Sequence, residues 1–125
     1  MRYLYLGIFG LMGVFLRYAF GLLTSLAPNV ALPFTTLLIN VLGSFLIGVA
    51  YVISFEYGYF SEDLRTGLLV GLLGGFTTFS SYSLESIRLM EIERWGLGVL
   101  YFVLTPLLCL LATYMGLKLT RFLMG

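Results

Sequence analysis

Four long apolar runs, separated by short polar breaks, divide the chain into approximately residues 3–26, 33–55, 64–90 and 95–122. About 20 mostly apolar residues in a helix cross a hydrocarbon core about 30 Å thick, and every run reaches that length. The breaks at 27–32, with Pro28 and Asn29, at 56–63 and at 91–94 hold turn and charge residues. Connections this short make consecutive helices antiparallel neighbours, so both termini are expected on one side. The expectation is an all-α integral membrane protein, with residues 1–125 forming a single four-helix transmembrane domain without an appended soluble module. Arg2 ahead of the first run and Ser25, Leu26 and Ala27 at its end imitate a signal peptide. Its apolar part is too long for one, Arg17 interrupts it, and its removal would leave three helices.

Composition sharpens this. Of the residues 60% are hydrophobic and 10% charged, against about 25% charged in a soluble domain. Too few polar residues remain to cover a water-exposed surface, so the solvent for most of the chain is lipid. A net charge of +1 supplies no basic patch for phosphates, and no nucleic acid partner is expected. Cys109 is the one cysteine and has no partner for a disulfide within the chain. The absence of histidine and of any Cys/His cluster excludes a structural zinc or a catalytic histidine. No nucleophile and base pair is present either, so an enzyme is not expected. Arg2, Arg65, Lys118 and Arg121 fall on the side of the termini, and Arg88, Arg94 and Arg17 on or toward the other. So small a difference fixes no orientation, leaving either one topology with a weak signal or insertion both ways round as an antiparallel dimer.

The informative residues are those costly to place in lipid. Arg17 lies past the middle of the first run, where a lipid-facing guanidinium costs about 2.5–3.5 kcal/mol or more. It either snorkels to the headgroups or forms an electropositive vestibule for anions. Asn40, one turn after Thr36 and near Gly43, needs hydrogen-bond partners. A neighbouring helix could supply them, or its amide could donate to a permeating anion.

The third run contains Gly71-Leu72-Leu73-Gly74-Gly75-Phe76-Thr77-Thr78-Phe79-Ser80-Ser81-Tyr82-Ser83-Leu84-Glu85. Glycines followed by hydroxyl residues are poor helix material, although Gly71 and Gly75 also suit close helix packing. A helix break near Gly75 to Thr78 is expected, and broken backbone at membrane depth is tolerated where it lines a cavity or is buried in protein. Its freed carbonyls can bind a cation. Phe79 and Tyr82, three apart, fall on similar faces of a resumed helix, either as packing residues or with their positive ring edges offered to a small anion. In the fourth run Tyr101, Thr105, Cys109 and Thr113 recur every four residues as a polar stripe. Such hydroxyls either pass an ion from turn to turn or bond back to their own helix. Pro106 kinks this run and frees a carbonyl beside the stripe.

Asn40-Val41-Leu42-Gly43 with Thr36 before it, the segment from Gly74 to Ser83 with Glu85 after it, and Arg17 in the first helix together resemble the CrcB (Fluc) fluoride channels. The resemblance covers essentially the whole chain in length, helix count and motif order. It implies passive, fluoride-selective export from the cytoplasm across the prokaryotic inner membrane, through two pathways at the interface of a dual-topology antiparallel homodimer. By resemblance, Asn40 is the pore asparagine and Phe79 the phenylalanine whose ring edge faces fluoride. Ser80 and Ser81 match the hydroxyl positions that follow, and Tyr101, Thr105 and Cys109 match the polar track, with a thiol replacing the usual third hydroxyl. The backbone carbonyls of Gly74 and Thr77 match those holding a structural sodium ion (Na+) on the dimer axis, and no organic cofactor is implied. Tyr82 departs from the pattern, where a second phenylalanine is common. Some members form heterodimers, so a paralogous partner is the other assembly left open.

Two other functions fit a four-helix membrane protein of this size. Small multidrug-resistance transporters resemble one another in a first-helix glutamate, and the first run here has Arg17 and no carboxylate. A non-conducting assembly subunit would not need costly polar groups on three helices.

Overall fold

In the computed structural model, residues 1–24 and 33–125 are described, so the first connection at 27–32 lies outside the described residues. Four membrane-length helical crossings run Arg2–Thr24, Phe34–Glu56, Glu62–Glu91 and Trp95–Met124, and no strand occurs among the described residues. Helix α1 (Arg2–Thr24) and α2 (Phe34–Tyr51) form the first two, and the second is prolonged by a π-helical turn over Val52–Glu56. The third crossing is composite: α3 (Glu62–Thr66), a π-helical stretch over Gly67–Leu73, α4 (Gly74–Phe76) and α5 (Phe79–Glu91). Helix α6 (Trp95–Met124) is the fourth and carries Pro106 in its interior.

Both termini meet the second connection. Arg2 pairs with Glu62 at 2.5 Å and Asp63 at 3.3 Å, and the Arg121 guanidinium holds Glu56 at 2.5–3.1 Å. The expected same-sided termini are therefore present. The third crossing begins two residues earlier than the apolar run because Ser61 caps it, accepting from the Leu64 N–H at 3.3 Å. Glu62 and Asp63 then sit in the first turn, where the helix dipole favours negative charge.

Two helix pairs approach through glycine. α1 packs against the third crossing so closely that a Cβ on Gly75 would come within 2.8 Å of the Gly10 carbonyl oxygen. On the other side α6 lies against α2, and a Cβ on Gly116 would stand 3.2 Å from the Phe45 carbonyl carbon. Small residues at these contacts let backbones meet where lipid gives no hydrophobic force for association. The buried hydrophobic cluster of Tyr82, Leu89 and Tyr101 then joins α5 to α6.

Candidate functional site

The helix break falls at Thr77 and Thr78, which are extended (φ/ψ −81/158° and −149/111°) between α4 and α5. Gly75 itself remains helical, in contact with α1, and the chain turns out of the helix only after Phe76. What holds the break open is Asn40. Its amide donates to the Thr78 carbonyl at 2.9 Å and accepts from the Thr78 N–H at 2.8 Å. In a continuous helix that N–H would have closed onto the Gly74 carbonyl. The Thr78 side chain then caps α5: its Oγ1 accepts from the Ser81 N–H at 3.3 Å and donates to Ser81 Oγ at 3.1 Å. That second N–H would otherwise have served the Thr77 carbonyl. Both residues read as cation holders have thus lost the N–H four positions on.

Two cavities flank this clamp. On one side about 370 Å³ opens between α1, α2 and α5, lined by Arg17, Thr35, Thr36, Thr78 and Ser81. Arg17 is half-buried there, and no carboxylate pairs with it among the described residues. On the other side a groove of about 460 Å³ is walled by Asn40, Gly74, Thr77, Phe79, Tyr82, Thr105 and Cys109. The structure thus brings together Thr105 and Cys109 of the polar stripe, the broken segment and the buried asparagine, drawn from three crossings, while Tyr101 lines neither cavity.

The members differ in what they have free to offer. Tyr101 is buried and donates to Glu85 Oε2 at 2.9 Å, while Thr36 donates to Glu85 Oε1 at 2.8 Å. Glu85, quoted in the sequence without a role, therefore bridges α2 and α6 and accepts hydrogen bonds from both hydroxyls. The Thr113 hydroxyl donates to the Ser44 carbonyl at 2.9 Å. Thr105 is the exception: it is 3% exposed and its Oγ1 has no partner. The second N–H of Asn40, the Thr105 hydroxyl and the Cys109 thiol remain as donors along the groove. Ser80 Oγ lies 3.3 Å from Thr78 Oγ1, at the start of α5.

Phe79 and Tyr82 do not share an environment. Their rings are 5.3 Å apart and tilted by 59°, yet Phe79 is 78% exposed and Tyr82 only 4%. Phe79 is the first residue of α5, directly after the extended pair, and projects beyond the bundle. Tyr82, one turn in, packs against Tyr101 at 5.5 Å.

Residues 4–117 match the family described as "CrcB-like protein, Camphor Resistance (CrcB)". The chain belongs to the CrcB family. A Thermus thermophilus protein named "Fluoride-specific ion channel FluC" is 40% identical over 124 residues, covering 99% of this chain and 98% of its own. Proteins of the same name from Hahella chejuensis and Sorangium cellulosum are 38% and 36% identical over 117 and 120 residues. Those alignments cover 94% and 96% of this chain, and 92% and 94% of the relatives. This CrcB chain, with its four membrane-length apolar helices, is a multi-pass membrane protein.

Proposed function

We propose that the chain is one subunit of a fluoride-selective channel, not an enzyme, that lets fluoride leave the cytoplasm passively across the bacterial inner membrane. The observation that carries the reading is the Thr105 hydroxyl, buried without a partner in a groove wall, in a chain that matches proteins named as fluoride channels over nearly its whole length. A buried hydroxyl without a partner is unfavourable, and of the two among the described residues, Ser54 and Thr105, it is Thr105 that lines the groove, where a dehydrating anion needs a donor.

In this reading Arg17 draws fluoride into the first cavity, where Thr36 and Ser81 line the approach and Ser80 adds a hydroxyl beside Thr78. The ion passes the second N–H of Asn40 and the positive edges of the Phe79 and Tyr82 rings. It then follows Thr105 and Cys109 along the stripe that begins at Tyr101. Fluoride holds water more tightly than chloride, so a narrow row of fixed donors and ring edges that replaces that water favours the smaller ion. An inside-negative potential worth about 2.3 kcal/mol per charge per 100 mV drives it outward without an energy source.

The subunits assemble as a dual-topology, antiparallel homodimer with a pore on each side of the interface. The near balance of basic residues across the membrane and the exposed Phe79 beside an open groove support this. A structural sodium ion fits the break. The carbonyls of Gly74 and Thr77 have each lost their helical donor, and neutral carbonyl oxygens suit a hard monovalent cation. Bound there, the ion supplies positive charge that joins the two broken segments.

The test is efflux from liposomes reconstituted with the purified protein, read with fluoride and chloride electrodes. Rapid fluoride release with little chloride release is expected. Vesicles that hold fluoride as protein-free vesicles do would overturn the reading.

A further inference from the structure

One polar group in the groove wall serves another element rather than the cavity: the hydroxyl of Tyr82. Pro106 lies within α6 and has no N–H, so the carbonyl four residues earlier, that of Phe102, loses its helical donor. A carbonyl stranded at membrane depth is unfavourable unless another donor reaches it. Tyr82 reaches it from α5, donating to the Phe102 oxygen at 2.5 Å. Its ring lies nearly parallel to that of Phe102, with centroids 6.4 Å apart and 7° between planes, and also touches Tyr101. Besides the Phe79 ring, three contacts therefore hold this side chain, and those three are on α6.

We propose that Tyr82 is a positioning residue, whose hydroxyl latches α5 to the proline gap of α6 and keeps the Phe102 carbonyl oxygen from standing as a bare negative dipole one turn from the groove-lining Pro106. The effect on ion flow rests on the channel reading above; the latch itself does not. Tyr82 and Pro106 form a matched pair: phenylalanine at 82 leaves the carbonyl without a donor, and a residue with an N–H at 106 removes the need for the tyrosine hydroxyl. A bare carbonyl dipole beside the groove repels an anion, so losing the latch slows fluoride and weakens discrimination against chloride, even in a folded protein.

Four proteins test this: the parent, Y82F, P106A and Y82F/P106A, each assayed for fluoride and chloride efflux and for melting in detergent. Y82F is expected to slow fluoride about fivefold or more relative to the parent, which corresponds to about 1 kcal/mol of added barrier. The same substitution in the P106A background changes flux by less than about twofold and no longer lowers the melting temperature. Parent-rate flux through folded Y82F overturns the proposal. So does a Y82F effect of equal size in both backgrounds, since it assigns the hydroxyl to the ion instead of the carbonyl. Should Y82F alone fail to elute as the parent does, the comparison of P106A with the double variant decides: equal flux supports the latch and slower flux overturns it. A parent that passes no fluoride refutes the channel reading, and melting then judges the latch by itself, with non-additive shifts supporting it and additive shifts overturning it.

Discussion

Replacing Asn40 by Asp perturbs the break and the ion path at once, in ways whose sizes can be separated. Asn40 is 9% exposed and holds Thr78 through one donated and one accepted hydrogen bond, at 2.9 and 2.8 Å. An ionised aspartate can still accept from the Thr78 N–H, but it presents an oxygen where the Thr78 carbonyl had a donor. The lost bond and the stranded carbonyl together cost about 1–3 kcal/mol of stability, and holding the buried carboxylate ionised adds to that cost. The N–H left over for an anion also goes. Beyond that, a fixed negative charge about 4 Å from a passing fluoride adds roughly 4 kcal/mol at an effective dielectric of 20. Since each 1.36 kcal/mol of barrier is about tenfold in rate, fluoride efflux from N40D liposomes should fall by at least about a hundredfold. The melting temperature should fall as well. Size-exclusion elution matching the parent separates a blocked path from an unfolded chain. Parent-rate efflux through folded N40D would refute the reasoning and leave Asn40 with a structural role alone.

Two further outcomes follow from the same geometry. Phe79 is 78% exposed, so F79I should barely change melting, yet removing the ring edge should slow fluoride about tenfold, corresponding to about 1.4 kcal/mol; unchanged efflux would exclude Phe79 from the path. G116A drives a methyl group into the Phe45 carbonyl across the α2–α6 contact, so detergent melting should show a loss of about 1–3 kcal/mol, whereas a parent-like melting curve would mean that the two helices can separate at no cost.

The four crossings were legible because a lipid solvent makes hydrophobicity nearly a direct readout of position. The break was legible because glycines beside threonines are locally inconsistent with a helix. The limits of that reading are instructive. Ser61, Glu62 and Asp63 begin the third crossing by capping and charge, which hydropathy scores as loop. Asn40 is visibly out of place in an apolar run, but its partner lies 38 residues away and is a backbone amide, which no side-chain pattern marks. The same holds for Glu85, whose two hydroxyl donors come from crossings two and four. Helical spacing placed Phe79 and Tyr82 on similar faces, yet the extended pair before Phe79 makes it the first residue of α5, so the one projects and the other is buried.

The departure at Tyr82 shows how far a single residue type can be interpreted before its neighbours are known. In the sequence it stands only as a departure from the phenylalanine common at that place. Pro106, 24 positions later, read separately as a kink with a freed carbonyl. The two features explain each other once α5 and α6 are side by side: the extra donor is where the missing donor was. Local sequence reasoning registers each member of such a pair as a cost, because an unpaired hydroxyl and an unpaired carbonyl are both unfavourable in lipid. Only the tertiary contact makes them cancel. In a membrane protein, then, two isolated violations of the local rules on adjacent crossings are better tested as partners than as separate functional sites, and the comparison of Y82F in the proline and P106A backgrounds is that test.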